Sequence, residues 1–293
     1  MSGQPVLAVD GLAYTYPGGG APAVRGIGFE VGRGEIFGFL GPSGAGKSTT
    51  QKVLIGLLRG YEGRVEVLGR PVRDQGPELY ERIGVGFELP NHFAKLTAEE
   101  NLRFFASFYR RPTRDPGELL ALVGLEGDAG RRADRLSKGM KMRLNFVRAL
   151  LHDPELLFLD EPTAGLDPGN ARLVKDVVLA ERRAGKTVFL TTHHMHDAEE
   201  LCDRVAFLVD GEIVRLGAPR ELRREGASRR VVVEHRPNES PDGEAERSEF
   251  PLDGLGEDPA FLALLRERRV ESIHSQEPTL EDVFLATTGR RLR

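Results

Sequence analysis

With 293 residues and 32.3 kDa, the chain is long enough for one large domain, or for a domain carrying an appendage. Its 40% hydrophobic and 29% charged content excludes wholesale disorder, and a single cysteine, Cys202, excludes a disulfide scaffold and suits a reducing compartment. Charges of 41 basic against 45 acidic, net −4, create no general attraction to nucleic acid or anionic lipid, so no nucleic-acid partner is expected.

In chain order, Leu7 to Val9, Ile27 to Val31 and Glu35 to Leu40 read as strands, separated by turns such as Pro17-Gly18-Gly19-Gly20. Lys47 to Leu58 reads as a helix, and Val65 to Leu68 and Ile83 to Phe87 as further strands. Thr97 followed by Glu100 has the form of a capping box and starts a helix over Ala98 to Phe108. A mostly helical stretch runs to about His152, with Met140, Leu144, Val147 and Leu151 along one face. Strands return at Leu156 to Leu159, Thr187 to Thr191 and Val205 to Val209, and Pro168 to Arg183 forms a helix between the first two. This alternation predicts an α/β core with a largely parallel sheet, into which the segment from about 90 to 150 is inserted.

The expected division is a domain over 1–225 and an appendage over 226–293. Residues 234–260 hold nine acidic residues and two arginines among prolines and glycines, which reads as an acidic linker or loop. Beyond it, Phe261, Leu262, Leu264 and Leu265 suggest a short helix, Val270 to Ile273 a strand, and Leu280 to Ala286 a last helix. No run reaches the ~18 apolar residues of a membrane span. The opening ten residues lack the basic-then-apolar pattern of a secretory leader, so none is expected.

The strongest chemical signal is Gly41-Pro42-Ser43-Gly44-Ala45-Gly46-Lys47-Ser48, between an apolar strand and a helix. Small residues let successive backbone N–H groups curl around a phosphate, and the helix N-terminus adds positive potential. Lys47 would bridge the β- and γ-phosphates of a nucleotide, with Ser48 on Mg²⁺. Leu156-Leu157-Phe158-Leu159-Asp160-Glu161 is a buried strand ending in two acids. Asp160 then faces the Mg²⁺, and Glu161 is the candidate general base for an attacking water. His193, His194, His196 and Cys202 invite a reading as a metal cluster, but they lack a second ligand pair at the usual spacing, and only His193 is carried forward.

The phosphate loop, Leu136-Ser137-Lys138-Gly139-Met140, the Asp160-Glu161 strand, Gly165-Leu166-Asp167 and Thr191-Thr192-His193 occur in one order and spacing. Together they resemble the nucleotide-binding domain of an ATP-binding cassette transporter, over about residues 6 to 220. The resemblance implies an α/β phosphate-loop NTPase core with a mostly parallel sheet, an antiparallel β subdomain, an inserted α-helical subdomain and a small α+β C-terminal appendage. It implies an ATPase that works as a head-to-tail homodimer, or pseudo-dimer, with ATP and Mg²⁺ at the interface. Each ATP is then held by the phosphate loop (Gly41 to Ser48, with Thr49 beside it) of one subunit and by Ser137 and Gly139 of the other. Tyr16 corresponds to the aromatic that stacks on adenine, His193 to the histidine that contacts the γ-phosphate, and Asp167 to the loop that crosses the interface.

Three positions depart from that pattern. Lys138 and Met140 replace a glycine and a glutamine, and Glu88 stands where a Mg²⁺-binding glutamine is usual. The ending Pro278-Thr279-Leu280-Glu281-Asp282-Val283-Phe284-Leu285 is similar to ATPase subunits paired with separate ABC-2-type permeases of drug exporters. The chain is thus expected at the cytoplasmic face of a bacterial membrane, held there by its permease. An importer ATPase shares the same catalytic motifs and is the rival reading; a soluble cassette ATPase not coupled to transport is the other.

Overall fold

The computed structural model describes residues 4–226, 230–237, 245–276 and 278–289. They form two compact units, one ending at Pro219 and the other starting at Arg220.

The first unit runs β1 (Leu7–Tyr14), β2 (Val24–Val31), β3 (Ile36–Leu40), α1 (Lys47–Leu54), β4 (Glu62–Val67), β5 (Arg70–Pro71) and β6 (Ile83–Gly86). It continues through α2 (Ala98–Ala106), α3 (Pro116–Leu122), α4 (Lys138–Arg148), β7 (Leu156–Asp160), α5 (Pro168–Arg183), β8 (Thr187–Thr192), α6 (Met195–Leu201), β9 (Arg204–Val209) and β10 (Glu212–Gly217). Helix α7 (Pro219–Gly226) follows, and then β11 (Arg230–Pro237), β12 (Glu246–Pro251), α8 (Pro259–Glu267), β13 (Arg268–Gln276) and α9 (Leu280–Thr288).

The first unit is built on a six-stranded sheet in the order β10-β9-β3-β8-β7-β6. Every pairing in it is parallel except that of β10 with β9. Covered on both faces, its inner strands carry unbroken apolar runs, Ile36-Phe-Gly-Phe-Leu40 and Leu156-Leu-Phe-Leu159, all buried. A four-stranded antiparallel sheet, β2-β1-β4-β5, contributes to the same core. Phe29 of β2 lies 5.4 Å from Phe37, nearly coplanar, and 6.0 Å from Phe189. Each such ring, fully buried, contributes roughly 2–3 kcal/mol of transfer free energy. Cys202 belongs to this packing: a β-carbon added at Gly38 would sit 2.7 Å from its Sγ, so strand β3 needs glycine there.

The inserted segment folds as helices α2, α3 and α4. Thr97 and Glu100 form the expected capping box, Ser137 caps α4, and Asp167 caps α5 with Pro168 in its first turn. Helix α1 stops at Leu54 rather than Leu58, because Ile55 leaves helical geometry and Gly56 takes φ 75°.

In the second unit, the antiparallel sheet β12-β11-β13 carries Val231 and Val233 against Phe261 of α8. Phe250 meets Phe261 edge-on at 5.3 Å. The reading of 234–260 as a linker or loop is therefore corrected: β11 and β12 occupy much of it, and only 238–244 lie outside the described residues. Its acids did not preclude a strand, since on β12 Ser248 and Phe250 are half-buried while Glu246, Arg247 and Glu249 face solvent. The helix and strand expected near 261–273 appear as α8 and β13, and the last helix as α9, capped by Thr279 with Asp282. Among the described residues, no helix is long and apolar enough to cross a membrane.

Candidate active site

Parallel register brings three strand ends to one edge of the large sheet. Leu40 pairs with Thr192, and Asp160 with Thr191, so the segments after β3, β7 and β8 emerge side by side. A cleft of about 460 Å³ opens there, lined by Tyr16, Ser43, Gly44, Gly46, Lys47, Ser48, Thr49, Glu88, Asp160, Glu161 and His193.

The loop after β3 allows nothing larger than glycine at two points. A β-carbon on Gly41 would stand 2.1 Å from the Leu208 carbonyl, and Gly46, at φ 107°, would meet the Ala23 carbonyl at 2.5 Å. Ala45 is buried and bonds back to the Pro42 carbonyl at 3.2 Å, which closes the turn. Lys47, itself buried, donates to the carbonyls of Gly41 at 2.6 Å and Pro42 at 3.1 Å. Burial pulls its pKa below the usual lysine value, while Glu161, Asp160 and Glu88 oppose that shift.

Ser48 Oγ donates to Asp160 Oδ2 at 3.2 Å, and Thr191 Oγ1 donates to the other carboxylate oxygen. A hydroxyl and a carboxylate converging at this distance form a hard oxygen donor set, which fits Mg²⁺. Glu88 adds an exposed carboxylate to the cleft lining.

Glu161 is buried and takes φ 50°, a left-handed conformation that costs a non-glycine residue about 1–3 kcal/mol. The fold holds it there: its N–H donates to the Thr191 carbonyl at 2.9 Å, and Thr192 Oγ1 donates to Glu161 Oε2 at 3.1 Å. His193 Nδ1 lies 2.8 Å from the other oxygen, Oε1. A carboxylate fixed by two partners and open to the cleft has the geometry of a general base.

Tyr14 is buried, whereas Tyr16 is 40% exposed on the cleft rim and hydrogen-bonds Thr49 Oγ1 at 3.2 Å. Its ring, perpendicular to that of Tyr14 at 5.0 Å, keeps exposed surface that a planar base could stack on. Ser137, Gly139 and Asp167 lie outside the cleft, at the starts of α4 and α5. Those two starts adjoin: a β-carbon on Gly139 would meet Leu166 at 3.4 Å, and one on Gly165 would meet Lys138 Nζ at 3.5 Å. Asp167 accepts from the Asn170 backbone and side chain, bonds that hold its carboxyl below the usual aspartate range.

Sequence reasoning gave no separate roles to Thr191 and Thr192, which tether the two acids. The available signal was their place directly before His193, on a strand that pairs in parallel with the acid-bearing one.

The arrangement can grip a polyphosphate and activate water beside it, and comparison with known proteins agrees. A model described as ABC transporter matches residues 24–164, and one described as fluoroquinolone efflux ABC transporter C-terminal domain matches 229–277. A fluoroquinolones export ATP-binding protein of Mycobacterium tuberculosis is 58% identical over 99% of this chain and 95% of its own. A Nod factor export ATP-binding protein I of Rhizobium meliloti is 38% identical over 99% of this chain and 90% of its own. Among solved structures, a dimeric ATP-binding cassette in a post-hydrolysis state with ADP and Pi superposes with TM-score 0.66 and 28% identity, covering 72% of this chain and 98% of that one. An ATP binding subunit of an ABC transporter gives 0.68 and 32%, covering 75% and 92%.

Proposed function

This chain belongs to the ATP-binding cassette transporter family and is an ATPase, and we infer from that premise that it powers a bacterial exporter of drugs or other hydrophobic small molecules. The membrane partner is a separate ABC-2-type permease, which holds the chain at the cytoplasmic face. Two copies, or this chain and a homologue, close head to tail on two ATP molecules. The nucleotide-binding domain runs over 1–225 and the appendage over 226–293. Near-full-length identity to an export ATP-binding protein favours export over import. The observation that carries the hydrolytic reading is Glu161, held by Thr192 and His193 in the cleft that also contains Lys47.

The residues divide the work. Tyr16 stacks on adenine, the backbone of Gly41 to Thr49 wraps the phosphates, and Lys47 leaves the carbonyls of Gly41 and Pro42 for the β- and γ-phosphates. Ser48 and Asp160 hold Mg²⁺, with Glu88 as a further oxygen ligand; the ion supplies charge neutralisation on the phosphates. Glu161 takes a proton from the attacking water, and His193 contacts the γ-phosphate. Ser137, Gly139 and Asp167, outside the cleft of their own subunit, serve the ATP of the facing one. A second groove of about 380 Å³, lined by Leu57, Tyr80, Phe87, Phe105, Tyr109 and Arg148 among others, supports docking of the permease beside the loop that bears Glu88.

Glu161→Gln tests the reading. ATP turnover falls at least roughly hundredfold, while a fluorescent ATP analogue still binds and an ATP-dependent dimer accumulates on size-exclusion chromatography. A variant that hydrolyses ATP normally would overturn the assignment. Cells carrying the wild-type chain and its permease accumulate less of a fluoroquinolone than cells carrying the variant; equal accumulation would count against drug export. Glu88→Gln alters the Mg²⁺ dependence of the ATPase rate but moves ATP affinity less than about threefold, because the carboxylate attracts the ion and repels the γ-phosphate. Superimposable Mg²⁺ titrations would place Glu88 outside the metal site.

A further inference from the structure

Among the described residues, Glu161, His193 and His194 each place one metal-capable atom within 4.8 Å of the other two. The two imidazoles stand 4.1 Å apart, centre to centre, tilted by 37°. Glu161 lies at the buried end of the group and His194 at the exposed end, so the donors line a path from solvent to the base. The hydrolytic reading uses Glu161 and His193 but gives His194 no task. That side chain makes no cap to α6, whose N-terminus it occupies.

The donor chemistry is selective. Two imidazoles and one carboxylate, with a fourth position open to water, form a nitrogen-rich, borderline-soft set that suits Zn²⁺. Mg²⁺ prefers oxygen ligands in an octahedron, the kind that Ser48, Asp160 and Glu88 offer in the same cleft. Bond lengths of about 2.0–2.2 Å put tetrahedral ligands roughly 3.4 Å apart; the Glu161–His193 pair, now hydrogen-bonded at 2.8 Å, opens slightly to reach that spacing, and the donor atoms already lie within 4.8 Å of one another. Thr192, donating to Glu161 Oε2, orients the carboxylate with Oε1 toward His193. The neighbouring cation, Lys47, has its ammonium turned to the Gly41 and Pro42 carbonyls.

We propose that Glu161, His193 and His194 form a Zn²⁺ site that holds the ATPase in an inhibited state. Zinc there occupies the lone pair with which Glu161 accepts a proton, and it ties His193 away from the γ-phosphate. His194 makes the difference, since it turns a catalytic pair into a three-ligand set. The inhibitory consequence rests on Glu161 being the base, as inferred above, but the binding does not.

Equilibrium dialysis of the full-length, nucleotide-free chain against Zn²⁺ tests the site directly. Wild type binds one zinc that His194→Ala weakens roughly tenfold or more, while His196→Ala, two positions on, leaves it unchanged. In saturating Mg²⁺ and ATP, zinc inhibits wild type and a chelator restores the rate. His194→Ala keeps its zinc-free rate within about twofold and needs roughly tenfold more zinc for the same inhibition. No bound zinc, equal zinc binding by His194→Ala and wild type, or equal zinc sensitivity of the two would overturn the proposal. Because dialysis contains no nucleotide, a chain that binds zinc through His194 yet hydrolyses no ATP would sink the hydrolytic reading and leave the site standing.

Discussion

The two sheets with which the chain makes its compact units solve the burial problem in different ways. The six-stranded sheet is covered on both faces: β3, β7 and β8 are buried at every position. In the second unit, no residue of β12 or β13 is fully buried, and half-buried positions alternate with exposed ones over only part of each strand. The first arrangement keeps strand ends rigid enough to hold Asp160 and Glu161 within hydrogen-bond reach of Ser48, Thr192 and His193. The second has a small apolar core around Val231, Val233 and Phe261, and none of the cleft residues belongs to it. Precision at a phosphate site follows depth of burial, because each strand end inherits the rigidity of the packed run behind it.

The largest expected effect strikes the doubly covered sheet. Phe189, fully buried in β8, touches the rings of Phe29, Phe37, Phe39 and Phe158. Phe189→Ala should lower stability by about 3–5 kcal/mol, read as the urea midpoint of the first unit. A loss below about 1 kcal/mol would show that the sheet tolerates a void and that its rigidity has another source.

A smaller effect comes from acid. Burial holds His92 neutral, its pKa down to about 4, with its ring hydrogen-bonded to the Lys141 carbonyl of α4 at 2.9 Å. His152, stacked on Tyr109, is shifted the same way by burial. A histidine depressed in the folded state contributes stability above its unfolded pKa near 6.5, and that stability is lost as pH falls toward 4. Taking pH from 7 to 5 should therefore destabilise the first unit by about 1–2 kcal/mol through His92, and His92→Gln should flatten the curve. Parallel pH curves for the two proteins would show that His92 does not set the slope.

The smallest effect is expected from removing most of the second unit. Deleting 227–293 should leave affinity for a fluorescent ATP analogue within about threefold, since the strand ends of the cleft stay packed in the first unit. Loss of nucleotide binding by a folded, truncated chain would erase the contrast between the units.

Much of the site was legible residue by residue. The glycines of the phosphate loop, the acids ending β7, and the caps Thr97, Ser137 and Asp167 follow from rules that act within about four positions of the chain. Tyr16 could be told from Tyr14 by its place directly before a turn, and the structure buries the second and exposes the first. The appendage was less legible, because the acids of 234–260 masked a strand, β12, whose ladder partner is β11. Composition reports solubility, whereas register depends on which residues a strand turns inward.

By itself, then, the sequence determined where the glycine-rich loop, Lys47 and the two acids of the candidate site lie. Only the tertiary structure decided how the acids are held: Thr191 on Asp160, and Thr192 and His193 on Glu161, are contacts between residues 31 or 32 positions apart. It also decided that Glu161 sits in a left-handed conformation and that His194 brings a donor atom within 4.8 Å of those of Glu161 and His193. The physical reason is range. Caps and turns are settled by hydrogen bonds between near neighbours, while the parallel pairing of β7 with β8 is settled by burying both strands at once, and that choice sets which side chains meet.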